Sequence, residues 1–159
     1  MLEEIKNIYT WLELSGHKFE NKENVSLALS LVDEEVAELK EAIQNDDKIE
    51  IIDALVDIFW MCKNVSFFYG ITPEEIVNHS KLVLKSNYSK FPISEQIAID
   101  SVEAYQSGEH PSKLGTRIDT YYEKTGNEEF PFVIKRHDHK VLKGLGFKSV
   151  NEMIYEKKS

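Results

Sequence analysis

The first part of the chain carries apolar residues three or four positions apart, which is helical spacing. Ile5, Ile8 and Leu12 set this spacing in a first helix predicted over 2–14, which ends at Ser15-Gly16. The start of another helix is marked by Thr72-Pro73-Glu74-Glu75, which supplies an N-cap, a proline in the first turn and a glutamate three residues after the cap. In all, the pattern predicts five helices, at about 2–14, 26–43, 48–69, 73–87 and 92–105.

The pattern changes after residue 115, where β-branched and aromatic residues become frequent. The segments 118–122 and 132–135 have the composition of strands, and Lys124-Thr125-Gly126-Asn127 separates them. This predicts a small antiparallel hairpin, extended at 141–145 after a turn at 137–139. The fold class is therefore mainly α with a small C-terminal β-hairpin. We expect a single domain over 1–159, with a core at about 25–91 and an elaboration at about 92–159.

Composition and charge narrow the class of protein. The 159 residues contain no apolar run near the roughly 18 residues that a membrane span requires. The N-terminus is acidic where a secretory signal would be basic, and Cys62 is the single cysteine, so a cytoplasmic protein is expected. A net charge of −9 argues against a broad nucleic-acid surface, because phosphate backbones require basic patches. We therefore expect no membrane partner and no nucleic-acid partner.

Acidic residues of the second predicted helix lie where apolar residues are expected. At about 100° per residue, Glu35 and Glu38 flank Leu31 inside the apolar arc, and Glu34 lies at its edge. Acidic runs on helices are usually solvated surfaces. That interpretation is disfavoured here, because the solvent face already has its own residues: Ser30, Asp33, Lys40 and Glu41.

The third predicted helix repeats this arrangement. Glu50, Asp53 and Asp57 are spaced i, i+3 and i+7 within an arc of roughly 60°, and Asn64 continues the same line. Apolar residues occupy most of the remaining surface, so this helix is predicted to be buried nearly all round. Buried carboxylates without partners are costly, and neighbouring like charges favour protonation. A cation must offset them, and Lys63 lies elsewhere on the helical wheel.

A hard divalent cation suits these all-oxygen ligands, and Mg²⁺ commonly combines a few carboxylates with waters and substrate phosphates. The sequence therefore predicts a magnesium site, with Mn²⁺ as a substitute metal. A structural salt-bridge network is the alternative. A di-iron bundle would require Glu-x-x-His pairs, which the sequence lacks, and a zinc site at His137-x-His139 has no cysteine or third ligand nearby.

The motif Glu34-Glu35-x-x-Glu38, followed by Glu50-x-x-Asp53, resembles the EExxE…ExxD signature of the MazG-like all-α NTP pyrophosphohydrolases. That superfamily includes phosphoribosyl-ATP pyrophosphohydrolases and dimeric dUTPases. The segment KSNYSKF at 85–91 resembles the SN-x-SK element of a branch often found in bacteriophage proteins. The segment KVLK at 140–143 resembles a GKVLK element that usually comes sooner in the chain. A phage-encoded protein of this kind would act in the host cytoplasm.

Two departures from the family pattern leave questions open. Only eleven residues separate Glu38 from Glu50, and in many members the final aspartate precedes an aliphatic-aromatic run like the one after Asp57. In that register Asp57 is the last ligand, and Asp53 stands in for a glutamate that Ala54 replaces. In the other register the ligands are Glu50 and Asp53. The segment 92–129 has no recognised counterpart in the family.

The resemblance implies hydrolysis between the α- and β-phosphates of a nucleoside triphosphate, which gives a monophosphate and pyrophosphate. The chemistry of the acidic set suggests that Glu34 orients or deprotonates a metal-bound water. The other five acids are the candidate metal ligands: Glu35, Glu38, Asp53, Asp57 and, with the least support, Glu50. The candidate phosphate-binding residues are Lys90, which also has a candidate catalytic role, and Asn87, Lys85, Lys140 and Lys143. Ordinary solvated lysines at a helix end are the alternative for Lys85 and Lys90.

Trp11, Trp60 and Phe67 are expected to be core residues rather than base-stacking residues. Helices two to four are too thin a layer to cover the third helix, so a second copy is expected to complete the bundle, as a homodimer or homotetramer. Two alternative functions stay open. One is a dUTPase-like or other specialised nucleotide hydrolase, and the other is a non-catalytic nucleotide-binding relative.

Overall fold

A computed structural model describes residues 1–156, which form a mainly helical fold with one small antiparallel hairpin, as predicted. In chain order the elements are α1 (Leu2–Leu14), α2 (Val25–Gln44), α3 (Lys48–Tyr69), α4 (Pro73–Tyr88), α5 (Glu95–Ser107), β1 (Thr120–Lys124), β2 (Phe132–Arg136) and α6 (Val150–Glu156). Short 3₁₀ turns lie at Lys22–Asn24 and Pro111–Lys113.

The helix boundaries follow from local capping. Asp47 precedes α3 and its side chain accepts hydrogen bonds from the backbone N–H groups of Ile49 and Glu50, at 3.0 and 3.2 Å. Gly70 ends α3 in the left-handed conformation, with φ of 81°, which a glycine adopts without steric cost. Thr72 and Glu75 form the reciprocal capping box predicted for α4: the Thr72 N–H donates to Glu75 Oε2 at 2.8 Å, and the Glu75 N–H donates to Thr72 Oγ1 at 3.3 Å.

Three elements differ from the sequence prediction. Helix α5 begins at Glu95 rather than near 92, because Ser94 provides the N-cap. The strand predicted at 141–145 is reduced to a single bridge between Val141 and Lys135. Helix α6 was not predicted, although its signal is present: the Glu152 side chain accepts a hydrogen bond from the Ser149 N–H at 2.6 Å, which is half of another capping box.

The chain divides into two compact units, residues 1–79 and the residues from 80 onward, and the boundary lies within α4. In the first unit α1 and α2 pack against α3. Its core is aromatic and aliphatic: the Tyr9 ring contacts Phe67 edge-on at 5.1 Å, and the Tyr9 hydroxyl donates to the Ile71 carbonyl at 2.6 Å. Phe67 is fully buried and Trp60 packs against this core, as expected, whereas Trp11 is half-exposed.

In the second unit α5 packs against the β1–β2 hairpin. The strands pair with Tyr122 opposite Ile134, and Ile134 is fully buried. The chain after α5 returns towards that helix, because the Ile118 N–H donates to the Tyr105 carbonyl at 2.9 Å. The segment 92–129, which had no family counterpart, therefore supplies a helix and a strand to this core.

The prediction that α3 is buried nearly all round is wrong for the single chain. Ile52, Leu55, Val56 and Phe59, spaced i, i+3, i+4 and i+7, are all exposed, with 52% of Leu55 and 55% of Val56 accessible. These four residues form one face of α3, which we call the apolar face. The other helices of the first unit leave much of this face accessible. No helix among residues 1–156 is both long enough and apolar enough to cross a bilayer.

Candidate functional site

The two acidic motifs lie on neighbouring helices. A three-residue turn joins α2 to α3, and the two helices pack against each other. Such a short connection makes an αα-hairpin, so side chains on the facing sides of the two helices approach one another. Asp46 allows the sharp reversal by adopting a left-handed conformation, with φ of 53°.

The carboxylates of the two helices interact electrostatically. The pKa of Glu35 is raised above its ordinary value, first by partial burial and then by the negative charges of Glu38, Asp57, Glu34 and Asp53. Five of the six predicted acids therefore lie in one negative field that spans α2 and α3. Glu50 is not among the groups that raise this pKa.

The burial predicted for these acids is only partly right. Glu35 and Asp57 are half-buried, whereas Glu34, Glu38, Glu50 and Asp53 are exposed. At about 100° per residue, Asp53 and Asp57 lie on a different side of α3 from the apolar face, so two sides of this part of the helix are accessible in the single chain.

Cationic partners for this acidic set are missing from residues 1–156, where none of the six carboxylates forms an ion pair. Lys63 instead lies over the Phe59 ring, 4.4 Å from its centroid. This disfavours the salt-bridge alternative. In the same part of the chain, no three acidic, histidine or cysteine side chains lie close enough together to hold a metal ion. Mutual repulsion favours such separation, and the metal assignment stays a prediction.

The lysines predicted to bind phosphate lie in the second unit, and three of them line the same cavity. Lys90, Lys140 and Lys143 line one cavity of about 480 Å³, which we call the basic cavity. Lys113 and Arg136 also line it, and sequence reasoning missed both. Among the described residues, the lining of the basic cavity includes no aspartate or glutamate.

Backbone hydrogen bonds assemble the basic cavity from distant segments. The Gly144 N–H donates to the Lys90 carbonyl at 3.0 Å, which fixes Lys143 close to Lys90. The Arg136 N–H donates to the Lys140 carbonyl at 3.0 Å across the turn at 137–139. No short motif encodes these pairings, so the sequence carries no signal for Lys113 or Arg136.

The remaining candidates are placed differently. Asn87 lies beside the basic cavity, where its Oδ1 accepts a hydrogen bond from Lys90 Nζ at 2.7 Å. Lys85 lines a separate cavity of about 570 Å³, in which the rings of Tyr88 and Phe130 stack at 4.5 Å. The structure therefore groups Asn87 with Lys90 and places Lys85 elsewhere.

His137 was considered as a ligand in the alternative zinc site. His137 Nε2 lies 2.9 Å from Asp119 Oδ2, and these two groups lack a third metal-ligating neighbour among residues 1–156, so the zinc alternative gains no support.

Asn64, which continues the line of Asp53 and Asp57 on α3, is only 6% exposed. Its buried Oδ1 has no hydrogen-bond partner in the described part of the chain.

Residues 15–81 match the family model of phosphoribosyl-ATP pyrophosphohydrolase. The match confirms the resemblance to the all-α NTP pyrophosphohydrolase superfamily, and it supports a nucleotide pyrophosphohydrolase type of activity. The matched segment contains all six acids and ends before Lys85, so it does not include the basic cavity. No curated protein and no solved structure gave a significant match to the chain.

Proposed function

We propose that this protein is a Mg²⁺-dependent nucleoside triphosphate pyrophosphohydrolase that cleaves the bond between the α- and β-phosphates. The observation that carries the proposal is the single negative field around Glu35, to which acids of both helices contribute and which no protein cation offsets within residues 1–156. A site of this kind is stabilised by a divalent cation with oxygen ligands. The family match of the same segment supports the type of reaction.

The residues that would hold Mg²⁺, or Mn²⁺ in its place, are Glu35, Glu38, Asp53 and Asp57. Glu50 has the least support, because it does not contribute to the field at Glu35. This favours the register in which Asp57 is the last ligand. When bound, the metal would neutralise phosphate oxygens and lower the pKa of a coordinated water.

Glu34 is the proposed general base, since it is exposed at the edge of the acidic set yet contributes to the same field. Water attacks the α-phosphorus while Glu34 accepts a proton from that water. The bond between the α-phosphorus and the α–β bridging oxygen breaks, and the bridging oxygen keeps the electron pair and leaves as part of pyrophosphate. The products are a nucleoside monophosphate and pyrophosphate.

Lys90, Lys140 and Lys143 are proposed to bind the phosphate chain through the basic cavity, and Asn87 to hold Lys90 in place by the hydrogen bond to its Nζ. Lys90 would also stabilise the charge that develops on the leaving pyrophosphate. Lys85, which lines the other cavity, has the weakest support as a phosphate-binding residue.

A homodimer, or a tetramer built from it, is proposed to cover the apolar face of α3. An exposed apolar face with helical periodicity is typical of an interaction surface. Two copies would pack against each other through this face, and the protein is proposed to act in the cytoplasm.

The decisive experiment incubates the purified protein with canonical, deoxy and modified nucleoside triphosphates and Mg²⁺ or Mn²⁺, and resolves the products by ion-exchange chromatography. We expect monophosphate and pyrophosphate, strongly reduced in Glu38→Gln and Asp57→Asn and unchanged in Glu41→Gln, whose carboxylate lies on the solvent face. A strong preference for dUTP would favour the dUTPase-like alternative. Nucleotide binding without turnover of any substrate would instead favour the non-catalytic relative and contradict the proposal.

A further inference from the structure

Lys113 lies on the 3₁₀ turn Pro111–Lys113, within the segment that has no recognised family counterpart. It lines the basic cavity together with Lys90, Lys140 and Lys143. Arg136 lines the cavity as well, but its Nε donates to Asp138 Oδ1 at 2.9 Å, so a carboxylate already offsets its charge. Lys113, by contrast, forms no ion pair within residues 1–156.

A buried tyrosine fixes the turn that carries Lys113. The Tyr105 side chain is 1% exposed, and its hydroxyl donates to the Lys143 carbonyl at 3.1 Å. The same hydroxyl lies 3.1 Å from Ser112 Oγ, within hydrogen-bond distance. Tyr105 therefore joins the residue before Lys113 to the backbone of Lys143, which brings two lysine-bearing segments together.

His110 completes this support from the other side of the turn. Its ring is 2% exposed and stacks on Tyr105 at 3.8 Å, with the planes 4° apart. His110 Nδ1 accepts the Ser112 N–H at 3.2 Å, and the His110 carbonyl accepts the Lys113 N–H at 2.8 Å. The turn is thus held by buried groups, so Lys113 is anchored at the cavity by its own backbone.

We infer that Lys113 is a further phosphate-binding residue and that Tyr105 positions it. Four lysines line one cavity, and their like charges repel one another unless an anion is bound. A single phosphate carries only about −1.5 to −2, so four lysines suit a di- or triphosphate chain better. This inference rests on the proposed function, because it assigns the same phosphate chain of the substrate to one more residue.

The test is direct binding of inorganic tripolyphosphate, measured by isothermal titration calorimetry on the full chain with EDTA present, so that neither metal nor hydrolysis is needed. We expect Lys113→Gln to weaken binding about tenfold through loss of a charge-assisted contact. The matched control is Lys124→Gln, which removes the same charge from β1 of the same unit, outside the cavity, and should leave the affinity within about twofold.

Tyr105→Phe keeps the ring stacked on His110 and removes only the hydroxyl. We expect it to weaken binding about threefold by loosening the turn. The dependence on salt separates the two roles, because an ion pair weakens as ionic strength rises. Lys113→Gln should therefore make the affinity less dependent on salt, whereas Tyr105→Phe should keep the dependence of the unmodified protein.

The inference is overturned if Lys113→Gln binds tripolyphosphate as tightly as the unmodified protein, if Lys124→Gln weakens binding equally, or if the unmodified protein does not bind it. These outcomes differ from failure of the proposed function. If the protein binds tripolyphosphate through Lys113 yet hydrolyses no nucleotide, Lys113 remains a phosphate-binding residue and the proposed enzymatic function is wrong.

Discussion

The acidic helix pair of the first unit and the basic cavity of the second are assembled in opposite ways. The interacting acids lie between residues 34 and 57, on two helices that a three-residue turn forces together. The cations of the basic cavity come from five positions between residues 90 and 143, joined by hydrogen bonds between loops. The spacing of residues along the sequence predicts a charge cluster on neighbouring helices, whereas a cluster built from loops depends on the tertiary fold.

The two regions share one property, which is concentrated charge of a single sign. Like charges held together destabilise a fold unless a ligand offsets them, and natural sequences tolerate this mainly at functional sites. The comparison therefore predicts that removing one charge from either cluster costs function more than stability. The experiments below examine that expectation from the largest expected effect to the smallest.

Glu35→Gln should lower kcat for nucleotide hydrolysis by about 100-fold or more, because it removes a proposed metal ligand. Without metal, the same change should not lower the free energy of unfolding, since glutamine relieves repulsion from Glu38 and Asp57. The raised pKa of Glu35 determines how its contribution to metal-free stability changes with pH. Its contribution to metal-free stability is present at pH below the ordinary carboxylate range and is lost as pH rises through the raised pKa.

The measurements are initial rates at saturating Mg²⁺ and thermal unfolding in EDTA. Glu41→Gln is the control on the exposed face of α2, and both quantities should stay near those of the unmodified protein. A large loss of metal-free stability in Glu35→Gln would contradict the comparison, because it would give Glu35 a structural role.

Sequence signals predicted the two helices of the acidic region well and the assembly of the basic cavity poorly. The bounds of α3 and the start of α4 follow from caps such as Asp47 and Thr72, which act within one helical turn. Lys113 joins Lys143 only through the buried Tyr105 hydroxyl, a contact across 38 positions, and no local signal specifies it. The exposed apolar face escaped prediction for a related reason, since hydrophobicity favours burial without specifying which chain provides the cover.

Leu55→Asp examines whether a second copy covers the apolar face of α3. If a second copy covers the apolar face, a carboxylate buried there without a partner should raise the dissociation constant of the dimer about 30-fold. Sedimentation velocity over a range of concentrations measures this change. Leu14→Asp is the control, because Leu14 is equally apolar and even more exposed but lies on α1, outside that face.

A protein that is monomeric before the substitution would rule out the proposed cover. In that case the acids of α2 and α3 would have to function at the exposure seen in the single chain. Equal dissociation by Leu14→Asp would place the interface on α1 as well, and the apolar face would lose its special role.

Asn64→Leu separates stability from function within the acidic region. The buried Asn64 Oδ1 has no hydrogen-bond partner among the described residues, and its Nδ2 has only a weak contact with Met61 Sδ, at 3.4 Å. Replacing an unsatisfied buried amide by a side chain of similar size should raise the free energy of unfolding by about 1 kcal/mol. Because Asn64 continues the line of Asp53 and Asp57, we expect hydrolysis to fall at the same time.

Urea unfolding and initial rates provide the two readouts, with the exposed Asn78→Leu as the control. A loss of stability in Asn64→Leu would mean that the amide makes a hydrogen bond in the folded protein. A gain in stability with unchanged activity would remove Asn64 from the site and leave the acidic set as it stands.

His110→Asn tests the support of the turn that carries Lys113, and it should have the smallest effect on the free energy of unfolding. Burial lowers the pKa of His110, and the nearby charge of Lys143 acts in the same direction, against an opposing interaction with the Lys143 backbone. The folded protein therefore prefers the neutral ring. The stability that His110 contributes is present above its ordinary pKa of 6.5 and is lost as pH falls through the lowered value.

Asparagine does not titrate, and its side-chain oxygen accepts a backbone N–H two residues later in the same kind of turn, so it replaces the Nδ1 acceptor for Ser112. The difference in unfolding free energy between the two proteins isolates His110, because the other four histidines are common to both. We expect this difference to be constant above pH 6.5 and to shift in favour of His110→Asn below it. Parallel curves would instead leave Tyr105 as the group that holds Lys113.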